Sequence, residues 1–131
     1  MEERLSQLKQ ELGGELVLTT VKFTEPVKPS EYVFWLFNRW QVGGEWHTGL
    51  MVLLALEERR IECEVGYGWE RFVSDLESGE VLDEYVLPLL KDGKFSEALQ
   101  ESAERLARRI GMSKLAEEGG RERPGLEGGE V

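Results

Sequence analysis

The chain has 131 residues, 40% hydrophobic and 32% charged, which is enough for one hydrophobic core and too little for two ordinary domains of roughly 100–150 residues each. A formal net charge of −10 excludes a phosphate-backbone ligand as a sensible expectation, because nucleic-acid binding depends on clustered Lys and Arg that displace counterions. Cys63 stands alone, so no intramolecular disulfide can form, and the longest apolar run, 50–56, falls far short of the roughly 20 residues a membrane-spanning helix needs.

Residues 1–12 mix charge with apolar residues at every turn and contain no apolar core of a signal peptide, so the chain is expected to work in the cytoplasm. Leu5, Leu8 and Leu12 fall at i, i+3 and i+7, and the pattern stops at Gly13-Gly14, which predicts a first helix. Over 15–23, Val17, Val21 and Phe23 share one parity and Leu16, Leu18 and Thr20 the other, as in a strand covered on both faces. Pro26 and Pro29 bracket a loop, and Ser30 is placed to cap a helix. That helix carries Val33, Leu36, Phe37 and Trp40 on one face and ends at Gly43-Gly44.

The continuous apolar run 50–56 reads as the central, doubly buried strand. Glu57-Glu58-Arg59-Arg60 is too short for a crossover, so 61–65 must return antiparallel, with Ile61, Cys63 and Val65 inward and Glu62 and Glu64 toward solvent. Trp69, Phe72, Val73 and Leu76 predict a third helix. Ser78 is placed to cap a fourth, which Pro88 should kink or end. A fifth helix over about 96–110 buries Leu99, Ala103, Leu106 and Ile110 behind Phe95 and should stop at Gly111. Residues 1–112 therefore form the domain. Residues 113–131, rich in glycine and charge, are expected to be a disordered acidic tail. The elements assemble into a helix-flanked mixed sheet with the second strand between the first and the third.

Three stretches carry a resemblance. Phe37-Asn38-Arg39-Trp40-Gln41-Val42-Gly43 and Thr48-Gly49-Leu50-Met51-Val52-Leu53 are followed by Glu64-Val65-Gly66-Tyr67-Gly68-Trp69-Glu70-Arg71-Phe72-Val73-Ser74-Asp75. With Val86-Leu87-Pro88-Leu89-Leu90-Lys91-Asp92-Gly93-Lys94-Phe95 and the last helix, the chain resembles the TPM domain family over nearly all of residues 2–111. The resemblance implies a Rossmann-like three-layer α/β sandwich, a small mixed β-sheet flanked by helices on both faces. Its members include a thylakoid lumen acid phosphatase linked to photosystem II repair, an acetylcholine-receptor accessory protein and bacterial proteins implicated in calcium binding, so the family by itself sets no single function. Relatives are commonly exported or membrane-anchored, and commonly carry an Asp-containing stretch ahead of the first element. Neither feature is expected here. His47-Thr48-Gly49 stands where many relatives have Asn-Asn-Gly, replacing amide oxygens with an imidazole and a hydroxyl. Calcium prefers oxygen ligands.

The antiparallel hairpin should bring Glu45, Trp46, His47 and Thr48 close to Gly66, Tyr67, Gly68 and Trp69. This edge is the candidate ligand or partner site: its glycines would let a ligand approach the backbone, and amides opening the third helix would hold an anion. Glu70 and Asp75 are the candidate metal ligands, with too few oxygens for more than weak binding of calcium or another divalent cation. The same residues also read as a tight turn, a loop histidine and a helix-start glutamate. Trp35, Trp40 and Trp69 read as core, whereas Trp46 either folds over the sheet edge or stays exposed for a partner. Gly66-Tyr67-Gly68 lacks the remaining glycines and lysine of a nucleotide-binding loop, and nothing supports a nucleophile triad. No cofactor is required. The expected function is an interaction or accessory module that binds a protein partner. The alternative is a divalent-cation-dependent phosphatase acting on phosphate monoesters.

Overall fold

The computed structural model describes residues 2–5 and 14–122, including the side chains of 14–74 and 76–111. Four strands form one sheet in the order β1-β2-β3-β4: β1 at Glu2–Leu5, β2 at Glu15–Val21, β3 at Gly49–Ala55 and β4 at Arg60–Val65. β2 and β3 run parallel, with Glu15 beside Gly49 and Val21 beside Ala55. β4 returns antiparallel along β3, with Leu50 opposite Val65. The apolar run thus lies between its two neighbours as its composition requires, and every residue of β3 is buried.

Two helical layers cover the sheet. Helix α1, Pro29–Arg39, presents Val33, Leu36 and Phe37 to Val17, Met51 and Leu53 on one face. On the other face Leu16, Leu18, Leu50, Val52 and Leu54 meet Ala103, Leu106 and Ile110 of the long last helix, with Val86 and Leu90 beside them. Each fully buried Leu or Val contributes about 1.5–3 kcal/mol, so the two-faced β3 is the largest apolar contribution in the fold. This is an α/β three-layer sandwich. Among the described residues, no helix is long and apolar enough to cross a membrane.

Several local expectations give way to tertiary context. Leu5, the first leucine of the predicted first helix, ends a strand, Glu2–Leu5, antiparallel to β2, with Glu2 opposite Thr19 and Leu5 opposite Leu16; the rest of that predicted helix, 6–13, lies outside the described residues. An edge of β2 left bare would expose a row of unpaired N–H and C=O groups, which β1 pairs. Ser30 is not the cap of α1: Lys28 occupies that position and Pro29 follows at the helix start, where its fixed φ fits and its missing N–H is not needed.

The continuous helix expected from Trp69 to Leu76 does not form. A 3₁₀ turn, Tyr67–Trp69, drops Trp69, Phe72 and Val73 into the core, while Leu76 is 73% exposed. Helix α2 is Asp75–Val81, capped by Ser74 and not by Ser78. The Glu77 N–H donates to Ser74 Oγ at 3.2 Å, and the Ser74 N–H donates to Glu77 Oε1 at 2.9 Å. This is the reciprocal box that Ser-x-x-Glu encodes. A widened π turn, Leu82–Val86, leads into α3, Leu87–Lys91, so Pro88 does not end the helical path and stands in a first turn, where its missing N–H is not needed. Gly93, at φ +76°, then turns the chain, and the Lys94 N–H returns to the Leu89 carbonyl at 2.9 Å.

Helix α4 runs Phe95–Glu122, straight through Gly111. The good helix formers in Ser113-Lys114-Leu115-Ala116-Glu117-Glu118 outweigh the roughly 1 kcal/mol a helical glycine costs. The segment read as a tail is therefore helical over 113–122, and 123–131 lie outside the described residues.

Candidate functional site

The edge anticipated from the hairpin exists, and backbone hydrogen bonds lock it. The Gly66 N–H donates to the Gly49 carbonyl and the Gly68 N–H to the His47 carbonyl, each at 2.8 Å. The loop ahead of β3 is tied from the other side, where the Glu15 N–H reaches the Thr48 carbonyl at 2.9 Å and the Gly43 N–H reaches Glu15 Oε1 at 3.0 Å. Within that loop Gln41, Gly43, Gly44 and His47 all take positive φ, so His47, at +55°, is a side chain held in a backbone state that favours glycine.

The glycines serve a different purpose from the one expected. A Cβ on Gly68 would lie 2.5 Å from the Trp46 carbonyl oxygen, and one on Gly66 would overlap the His47 carbonyl oxygen. The space above both is filled by the chain's own 46–49 backbone and is not open to a ligand. Gly14 belongs to the same set, since its Cβ would collide with the Thr48 carbonyl and the Trp69 ring. Trp69 is accordingly a core residue at 2% exposure, not part of the partner edge.

What the lock presents to solvent is aromatic. Trp46 is 76% exposed and Tyr67 78%, with the Tyr67 ring edge-on to His47 at 5.9 Å between centroids. Of the two arrangements open to Trp46, the exposed one is observed. Trp35, read as core, is also exposed, and Arg39 stacks on its ring at 5.6 Å. A groove of about 240 Å³ runs between Phe34 and Asn38 of α1 on one wall and His47, Tyr67 and Glu70 on the other. A second, of about 360 Å³, continues past His47 between Asn38, Gln41, Gly44 and Glu45. Phe34, Asn38 and Gln41 were not anticipated. Their spacing of i, i+4 and i+7, one step off the buried stripe of α1, was the available signal.

For a divalent cation, Glu70 is exposed at the end of the 3₁₀ turn and shares its groove with Glu64. The Asp75 side chain lies outside the described ones. Among the described residues, no three of His, Cys, Asp and Glu converge closely enough to share an ion. The anion site was expected at the start of the third helix; α2 begins instead at Asp75, and the Ser74 N–H ahead of it already donates to Glu77 Oε1.

The edge also lies at the amino ends of the two parallel strands, whereas open α/β sheets bind ligands beyond the carboxyl ends. At that opposite end the chain closes on itself. Glu58 Oε2 accepts from the Thr24 N–H at 2.9 Å and from the Glu25 N–H at 3.0 Å, and the Thr24 hydroxyl lies 3.0 Å away. The Thr24 N–H above all, against a smaller opposing effect of burial, holds the Glu58 carboxyl below its usual range.

Fold and edge together define a small α/β sandwich that displays aromatic side chains on two interlocked turns. The chain belongs to the TPM domain family, which it matches over residues 1–109. It is similar in structure to the N-terminal domain of a P. gingivalis protein solved by NMR, with a TM-score of 0.74 and 23% identity, covering 81% of this chain and 68% of that one. It is also similar to the BA42 protein of the psychrophilic bacterium Bizionia argentinensis, with a TM-score of 0.60 and 15% identity over 83% of this chain and 74% of that one. No curated protein matches the chain.

Proposed function

We propose that this TPM domain is an interaction or accessory module whose partner is a protein, docked on the edge around Trp46, His47 and Tyr67. The observation that carries this reading is the exposure of Trp46 and Tyr67, 76% and 78%, on a backbone that hydrogen bonds hold still. Large aromatics on rigid turns give contact area with little ordering entropy, which is why they dominate interface energetics. Any divalent-cation site at Glu70 and Asp75 is weak and secondary to that role.

A photo-crosslinking amino acid placed at position 46 tests the proposal in cells. A discrete, recurring protein adduct is expected, and it should disappear when Tyr67→Ala is added. Absence of any protein adduct refutes the reading. Turnover of a phosphate monoester by clean protein, abolished by a chelator and by Asp75→Asn, would instead make the chain a metal-dependent phosphatase.

A further inference from the structure

Two 3₁₀ turns carry the exposed aromatics, and each brings a carboxylate to the same edge. Glu45 directly precedes Trp46 in the turn Gly44–Trp46. Glu70 closes the turn that Tyr67 opens, with its N–H 3.4 Å from the Tyr67 carbonyl, and residues three apart share a face in such a turn. Glu45 lines one of the two grooves that meet at His47, and Glu70 lines the other. Both are exposed, and among the described residues no hydrogen bond or ion pair engages either carboxylate. Glu64, on the wall beside Tyr67, is already engaged within the chain and is not counted.

No lysine or arginine lines either groove. Four arginines lie over aromatic rings, but elsewhere: Arg39 on Trp35, Arg59 on Phe95, Arg71 on Phe72 and Arg105 on Tyr85. Among the described residues, no cation of the chain stacks on Trp46 or Tyr67, the two most exposed aromatics. Asn38, which lines both grooves, donates its Nδ2 to the Phe34 carbonyl at 2.7 Å, so its amide oxygen remains to accept. The edge therefore offers ring faces and oxygen acceptors with no cationic donor of its own.

Arginine answers both at once. Its planar guanidinium stacks on a ring while its fork of N–H groups donates to a carboxylate, whereas the compact ammonium of lysine holds its water more tightly. A second copy of this chain would bring a further net charge of −10 to an edge that is already acidic, so the complementary segment is foreign. We infer that the protein segment docked on the aromatic edge presents an arginine, stacked on Trp46 or Tyr67 and held by Glu45 and Glu70. This rests on the docking reading above and names the chemistry of its partner.

The probe is a capped Gly-Arg-Gly-Arg-Gly peptide, titrated into the full chain at low salt with a chelator present and followed by NMR at the Trp46 indole N–H. Saturable shifts are expected there and at the Tyr67 amide. Glu45→Gln combined with Glu70→Gln should weaken binding by about fivefold, and Trp46→Leu by about threefold. Glu80→Gln combined with Glu97→Gln changes the net charge equally and should alter affinity by less than about twofold, since it is distant from the edge. The peptide with lysine in place of arginine should bind about threefold more weakly. Silence at Trp46, equal losses in the two double variants, a lysine peptide bound as tightly, or self-association that Glu45→Gln abolishes overturns the inference. The cross-link at position 46 separates it from the reading it rests on. Absence of any adduct removes both, whereas an adduct whose captured peptide lacks arginine leaves docking in place and overturns the arginine alone.

Discussion

Gly68→Ala isolates the lock between the two turns. Its new Cβ would sit 2.5 Å from the Trp46 carbonyl oxygen, 2.8 Å from Thr48 Cγ2 and 2.9 Å from the His47 carbonyl oxygen, where ordinary contact begins at 3.4 Å. Two of these three neighbours are backbone, so the turns must part by close to an ångström. That movement breaks the bond from the Gly68 N–H to the His47 carbonyl. The lost bond is worth about 1 kcal/mol and the overpacking about 1–3 kcal/mol. Restricting the unfolded chain returns about 0.4–1 kcal/mol. The net destabilisation is roughly 1–3.5 kcal/mol, read as a lowered midpoint in urea unfolding followed by tryptophan fluorescence. Gly79→Ala is the matched control: with nothing within 4 Å and a helical backbone, it should stabilise by about 0.5–1 kcal/mol. A wild-type midpoint for Gly68→Ala, or an equal loss in both variants, would refute the close-approach argument.

Leu53→Ala removes a side chain at 0% exposure from the middle of the sheet and should lower stability by about 2–5 kcal/mol in the same assay. Glu58 and Glu77 are both held below the ordinary value of 4.5, by the Thr24 N–H and the Ser74 N–H respectively, with Arg109 a further contributor at Glu77. A lowered folded pKa means the unfolded chain binds the proton more readily. The stabilisation is therefore complete above about pH 4.5 and is lost as pH falls through the folded values. Glu58→Gln and Glu77→Gln should each flatten the acid limb of a melting-temperature profile; a steeper limb would contradict the assigned sign. Calcium titration followed residue by residue should give a dissociation constant on the order of 1 mM or no binding, weakened by Asp75→Asn and indifferent to Glu57→Gln. Tight binding that survives Asp75→Asn would place the site elsewhere.

The candidate edge was legible in outline because a hairpin of known register brings the start of one strand to the end of its partner. Whether its glycines faced a ligand or the chain's own backbone was not legible, since that depends on where the Trp46 and His47 carbonyls point. Exposure of Trp35 escaped, and that of Trp46 stayed one of two alternatives, for a related reason. Spacing marks which residues share a face, but only the packed neighbours show which face is covered.

By itself, the sequence determines the sheet and its two covers. A run in which every residue is apolar, as in 50–56, can be satisfied only between two layers. The stripe Val33, Leu36 and Phe37 and the stripe Ala103, Leu106 and Ile110 supply those layers. The tertiary structure decided what happens wherever local preference was weak or outvoted. Glu2–Leu5 became a strand because the edge of β2 offered backbone partners, and Trp69 left a helical register because the core over Gly14 had room for its ring. Periodicity is a property of neighbours along the chain, whereas an unpaired edge and a fitting cavity exist only after distant segments have met.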